Sequence, residues 1–228
     1  MTLTELEARI VHCRRCPRLV EWRERVAAEK RAAFRDESYW GRPVPGFGDP
    51  DAAVYVLGLA PAAHGANRTG RIFTGDRSGD WLFAAMHRTG FANRPTAVHR
   101  DDGLRLSALW IGAAVRCAPP ANRPTPQERE NCLPYAREEL RLLEPAVILC
   151  LGSFAWNAAM TLLAEPPRPR PRFGHGAEHH PSSGPVVLGS FHPSQQNTFT
   201  GKLTEAMTDE VLLRARELGG LGPGPRTR

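Results

Sequence analysis

The chain has 228 residues, of which 41% are hydrophobic and 24% charged, the balance of a packed globular protein of one domain or at most two small ones. No run approaches the roughly 18 apolar residues of a membrane span, and the acidic start MTLTELEARIVHC is unlike a secretory signal, so a cytoplasmic protein with no membrane partner is expected. Thirty Lys+Arg against 24 Asp+Glu leave a net charge of +6, nearly all as arginine, since Lys30 and Lys202 are the only lysines. Arginine's planar fork matches phosphate, so the charge suggests an anionic partner such as nucleic acid; a GC-rich coding sequence would produce the same bias.

Thr4 and Glu7 have the spacing of a capping box, and Leu6 and Ile10 continue a first helix into Cys13. The segment 19–35 is helical in pattern but heavily charged, a surface helix, and 38–51 is an irregular approach to the first strand, Val54–Leu57. The stretch 58–76 leaves that strand and feeds a helix near Ser78–Thr89; it far exceeds the 2–6 residues usual for such a connection. A second strand is expected at Leu109–Val115, then a stiff extended loop at Pro119–Pro124. Thr125 and Glu128 form a second capping box with Pro126 at the first helical position, opening a helix whose apolar face is Leu133, Ala136, Leu140 and Leu143. A third strand, Ala146–Leu151, leads into a helix at Gly152–Ser153. The Pro/Arg/Gly/His-rich segment 166–184 reads as a long loop or mobile flap; its His175, His179 and His180 lack the flanking structure of a metal site. A fourth strand at Val186–Leu188 precedes Ser190–Ser194, and a final helix carries Leu203, Met207 and Val211. There is no internal repeat. Residues 1–218 are expected to form one domain, with 219–228 a disordered tail.

Strands alternating with helices imply an α/β fold, a three-layer α/β/α sandwich around a mostly parallel sheet of about four strands. Three polar stretches, 58–76, 117–125 and 192–200, follow strands, so a parallel sheet must bring them to the same edge, where ligands bind in such folds. No Gly-Lys-Ser/Thr follows Gly65, and Lys202 is followed by leucine, which excludes a P-loop.

Of the five cysteines, Cys150 lies inside an apolar strand and reads as core. Cys13 and Cys16 have CxxC spacing, and Cys117 and Cys132 follow in the site loop and the helix after it. Four such cysteines suit structural zinc or an iron–sulfur cluster, and spacing does not decide between them. A thioredoxin-type redox motif fits less well, because that motif opens a helix and this one closes one.

Gly58-Leu-Ala-Pro-Ala-Ala-His-Gly65, the run from Asn67 to Asp76, Cys117-Ala-Pro-Pro120 and His192-Pro-Ser194 occur in the order found in the type-b, or family 5, uracil-DNA glycosylases, and the chain resembles that family from Cys13 to about Leu203. The resemblance implies a [4Fe-4S] cluster on Cys13, Cys16, Cys117 and Cys132. It implies a base-excision repair enzyme acting on double- and single-stranded DNA that contains damaged bases, working as a monomer. The family 4 relatives carry a glutamate, a glycine and an asparagine where this chain has Leu59, Ala62 and Ala113, so the family 4 mechanism does not transfer. Loss of those groups suggests a looser pocket, open to hypoxanthine, xanthine or ethenocytosine as well as uracil.

Hydrolysis of the glycosidic bond passes through a sugar cation and a departing base anion, and the base must first be flipped out of the duplex. The catalytic candidates are His192, donating to the base oxygen; Asp76, positioning water and stabilising the cation; and Asn122 and Asn197, offering amides to base or water. Asp76 could equally cap the helix after it. Phe73 is the stacking candidate, or a staple between loop and helix, and Gly58, Ala60, Ala62 and His64 would line the base site. Arg68, Arg71 and Arg123 are candidates for phosphate, and Gln195, Gln196 and Phe199 for contact with the duplex. With no lysine placed as a Schiff-base nucleophile, the enzyme is expected to leave an abasic site without cutting the strand. The alternative is an iron–sulfur-stabilised module that binds damaged DNA without catalysis.

Overall fold

The computed structural model describes residues 1–222. Helices α1 (Leu3–Val11) and α2 (Pro17–Glu29) open the chain, and a two-residue strand β1 (Phe47–Gly48) precedes β2 (Val54–Gly58). There follow α3 (Ala66–Thr69), α4 (Arg77–Arg88), β3 (Leu109–Ala113), α5 (Pro126–Leu143), β4 (Val147–Leu151) and α6 (Ser153–Leu162). The last elements are β5 (Glu178–His179), β6 (Val186–Ser190), α7 (Gln195–Phe199) and α8 (Glu205–Leu218).

The sheet runs β1-β3-β2-β4-β6-β5. The four inner strands are parallel, with Val56 level with Ile111 and Leu149, and Leu149 level with Leu188. These are the four strands expected from the apolar runs. The edges β1 and β5 pair antiparallel and hold two residues each, too short to show any period in the sequence.

Alternation along β2 assigns the two faces. Val54 and Val56 join Leu82, Phe83 and Met86 of α4 and Val211, Leu212 and Ala215 of α8 in one core. Tyr55 and Leu57 join Leu133 and Ala136 of α5 and Ala155, Trp156 and Ala159 of α6 in the other. Both faces are covered, as a parallel sheet requires. A third apolar cluster, with Leu6 and Ile10 of α1, Leu19 of α2 and Tyr135 of α5, surrounds Cys117 and Cys132.

Several local expectations are corrected. The first capping box is Thr2 with Glu5, not Thr4 with Glu7; Thr-Leu-Thr-Glu-Leu-Glu offers the same spacing twice, and either frame buries Leu6 and Ile10. Cys16 is the N-cap of α2 with Pro17 after it, so the CxxC turn both closes one helix and opens the next. Helix α2 ends at Glu29, and its Leu19, Val20, Arg23 and Val26 are buried, so it is not only a surface helix. The segment 166–184 is docked rather than a free flap: Trp156 donates through Nε1 to the Pro171 carbonyl at 2.9 Å, and β5 pairs with β6. At the C-terminal end, Gly219 caps α8 and Leu221 packs on the first core; residues 223–228 of the expected tail lie outside the described residues.

Candidate active site

The carboxyl ends of the parallel strands carry the loops that bear the chemistry. Residues after β2, after β3 and after β6 line one cavity of about 520 Å³, within the usual range for a small-molecule site. Asp76, Phe73, Asn122 and His192 all line it, with Leu59, Ala60, Ala62 and Gln195.

Asp76 is the N-cap of α4, its Oδ1 accepting the Gly79 N–H at 3.0 Å. Its other oxygen packs against the bare α-carbon of Gly65, where a Cβ would come within 2.2 Å of Oδ2. The residue caps the helix and lines the cavity at once. Burial raises the carboxyl above its ordinary value, against the pull of the Gly79 and Ser78 amides.

Phe73 sits with φ at +53°, a conformation side chains rarely adopt. Gly58 has no room for a side chain beneath it, because a Cβ would lie 2.9 Å from Phe73 Cε2. The ring is joined to the α4 side of the core and also lines the cavity, so the staple position and exposure to the cavity belong to one residue. Its centroid is 6.1 Å from that of His192, with the planes 36° apart.

His192 follows β6. Burial pushes its imidazole down to about 4, so the ring is neutral at physiological pH and one nitrogen carries a proton to donate. Asn197 does not line the cavity: its Nδ2 donates to the His192 carbonyl at 2.8 Å. Its role is corrected from catalytic to holding the turn on which His192 stands. Asn122 lies at a left-handed position, φ +55°, as the last residue of a short 3-10 turn at Pro120–Asn122, and lines the cavity from the β3 side.

His64 is not in this cavity. Its Nδ1 pairs with the Tyr39 hydroxyl at 3.0 Å, and it lines an adjoining trough of about 850 Å³. Trough and cavity share Ala62, Asp76, Arg77, Asn122 and Gln195, so the two adjoin along that line of residues. Gly58 likewise lies beneath Phe73 rather than on the lining.

Two of the three arginine assignments to phosphate are corrected. Arg71 is 4% exposed and makes a two-pronged pair with Asp102 at 2.9 and 2.7 Å. Arg68 pairs with Glu37 and donates to the His64 and Gly75 carbonyls. Both guanidiniums are consumed in fixing the loop. Arg123 is exposed beside Asn122 and keeps the phosphate role open, as do the exposed Gln195 and Gln196 at the start of α7. Phe199 is 69% exposed, with the Arg77 guanidinium 5.6 Å from its ring centre. Sequence reasoning missed Arg77, exposed on the rim directly after Asp76. Neither lysine reaches the cavity: Lys30 donates to the Arg35 carbonyl and Lys202 sits over the Phe191 ring at 5.0 Å.

Cys13, Cys16, Cys117 and Cys132 are unbridged and line one small cavity, joining loop, α2 and α5. Among the described residues no three His, Cys, Asp or Glu side chains gather as ligands of a single metal ion. The donors around the sulfurs are specific. Arg23 Nη1 lies 2.9 Å from Cys117 Sγ, the Arg116 backbone N–H 3.2 Å from Cys132 Sγ, and Asn131 Nδ2 3.6 Å from Cys16 Sγ. Arg23 is 2% exposed and its Nε has no acceptor among the described residues. The sequence signal for Arg23 was present: a charge four residues after Leu19 on the apolar stripe of α2. Burial pushes the Cys117 thiol up to about 11 and the Cys132 thiol to about 12.

Residues 45–216 match the family model of the uracil DNA glycosylase superfamily. The chain is 54% identical over 222 residues to the type-5 uracil-DNA glycosylase of Mycobacterium bovis, covering 96% of this chain and 83% of the relative. It is 51% identical over 222 residues to the type-5 uracil-DNA glycosylase of Mycobacterium leprae, covering 96% and 97%. It is 50% identical over 210 residues to that of Thermus thermophilus, covering 92% and 94%. No helix among the described residues is long and apolar enough to cross a membrane.

Proposed function

The chain belongs to the uracil-DNA glycosylase superfamily, on its type-5 side, and from that premise we propose that it excises uracil from DNA by hydrolysing the N-glycosidic bond. The observation that carries the reading is the meeting of Asp76 and His192, from loops after different parallel strands, on one cavity. A flipped base enters past Gln195 and rests against Phe73. The neutral His192 donates a hydrogen bond to the base oxygen that gains charge as the bond breaks, a stabilisation made in the transition state. The Asp76 carboxylate, on the cavity wall, stabilises the oxocarbenium ion by its negative charge and orients water. Asn122 supplies an amide from the opposite wall. Because both lysines are engaged elsewhere, no amine attacks C1′ and the product is an abasic site on an intact strand.

Leu59 and Ala62 make part of the lining apolar and small. That supports acceptance of hypoxanthine, xanthine and ethenocytosine beside uracil, since little in the lining selects one base edge. Duplexes carrying each of these bases, treated with enzyme and then alkali, are expected to break at the damaged site and nowhere in an undamaged control. Cleavage of uracil alone would reject the broad specificity, and cleavage of none would reject the glycosylase.

The four cysteines fit a [4Fe-4S] cluster as thiolate ligands. Hydrogen-bond donors at three of the four sulfurs, and an Arg23 Nε left without a protein acceptor, suit a buried, negatively charged sulfur group. The cluster would cross-link the segments that carry its ligands. Cys117→Ser is expected to lose iron and the visible absorbance of the cluster and to open α1–α2 to protease; an iron-free wild-type protein with full stability would refute the assignment. DNA, double- or single-stranded, is the partner that the trough and the exposed Arg77 and Arg123 support, and a monomer suffices for this site.

A further inference from the structure

The turn that presents His192 is held at three backbone groups. Ser190 Oγ donates to the Phe191 carbonyl at 3.0 Å, and Asn197 Nδ2 to the His192 carbonyl at 2.8 Å. The third, the Phe191 N–H, donates to Nδ1 of His175 at 3.2 Å, and the rings of Phe191 and His175 lie 5.2 Å apart at 36°. His175 is itself fixed to the end of β6. Gly176 N–H donates to the Gly189 carbonyl at 2.8 Å and Gly189 N–H to the Ala177 carbonyl at 2.8 Å. A Cβ at Gly189 would come within 2.5 Å of the Gly174 carbonyl oxygen, so strand and His175 turn are in direct backbone contact.

We infer that His175, neutral and protonated on Nε2, is a positioning residue for base excision: it holds the Phe191 amide and thereby sets where the His192 ring points. The inference rests on the reading of His192 as the donor to the leaving base. An acceptor at Nδ1 requires that atom to be unprotonated. A proton arriving there would set N–H against N–H and release the Phe191 amide. Burial lowers the His175 pKa below its ordinary 6.5, opposed by the Met207 carbonyl and by Glu210 of α8. The other charged or titratable groups facing this corner are Lys202, over the Phe191 ring, and His192. The neutral form thus prevails down through the ordinary histidine value, and the hold on Phe191 is lost as pH falls through the lowered one. A shift of the turn matters because misplacing a catalytic group by about 1 Å can cost on the order of 100-fold in rate.

The test compares His175→Asn and His175→Leu in single-turnover excision of uracil from a duplex across pH, together with ring ¹⁵N spectra and exchange of the Phe191 amide. Asparagine offers an oxygen at the position of Nδ1 that does not titrate. His175→Asn is expected to keep the wild-type rate near pH 8 and to lose the part of the acid limb that belongs to His175. His175→Leu is expected to lose about 10- to 100-fold in rate with DNA affinity unchanged, and to exchange its Phe191 amide faster. The wild-type spectra should show Nδ1 bare and Nε2 protonated at neutral pH. A proton on Nδ1, or a leucine variant with wild-type rate and pH profile, would overturn the inference. If the wild type released no base at all, the glycosylase reading would fail on its own, while the tautomer and amide exchange would still decide the contact.

Discussion

Asp76 carries two readings that the sequence held apart. Its Oδ1 caps α4 and the residue also lines the cavity, so the pattern of an acidic residue before a helix was legible and is realised, and the catalytic reading proposed for the same carboxylate does not conflict with it. Phe73 repeats the lesson, since a ring in a long polar loop signalled function and its burial on Gly58 signalled structure. The arginines were the reverse case. Arg68, Arg71 and Arg123 look alike in sequence, and only the fold reveals that Asp102, thirty-one residues on, consumes Arg71. Arg71→Met should cost about 3–5 kcal/mol by leaving Asp102 buried without its partner, measured by denaturant unfolding, with little change in the salt dependence of DNA binding. Arg123→Ala should leave stability within about 0.5 kcal/mol and reduce the slope of log affinity against log salt by about 1. A folded, stable Arg71→Met protein with a shallower salt slope would return Arg71 to the interface.

At the scale of elements, the long parallel strands and the Thr125 capping box were readable because apolar runs and local cap chemistry leave strong patterns. The two-residue edges and the docking of 166–184 were not, because their stability comes from pairing with β6 and from the Pro171 carbonyl, contacts distant in sequence. Glu128 is another such device. It caps Thr125 N–H at 2.7 Å and pairs with Arg18 at 2.8 and 2.7 Å, so one carboxylate ties α2 to α5, the helices that flank Cys16 and carry Cys132. Burial would raise its pKa, but Arg18 and the Thr125 amide outweigh it and hold it low. The stabilisation is therefore present above the ordinary carboxylate range and is lost as pH falls through the lowered value. Glu128→Gln should cost about 1.5–3 kcal/mol at neutral pH, and its stability should converge on that of the wild type in acid. A difference constant with pH would mean that packing, not charge, joins the helices.

Over the whole molecule, the topology does what no single motif does. A parallel sheet places every strand's carboxyl end on one edge, so stretches more than a hundred residues apart, Asp76 and His192, share a cavity. That convergence was deducible from the order of strands and loops. The division of labour within it, with Asn197 supporting and Asn122 lining, depended on side-chain directions that the sequence does not encode locally. The most direct test of the account is single-turnover release of uracil from a duplex by wild type, His192→Ala and Asp76→Asn, with DNA affinity and thermal unfolding measured alongside. Asparagine keeps the oxygen that accepts from Gly79, so Asp76→Asn should melt within about 0.5 kcal/mol of the wild type while excision falls by about 100-fold or more. His192→Ala should lose excision comparably, with DNA still bound in both. Wild-type excision by either variant would contradict the assignment of the cavity's chemistry to that residue.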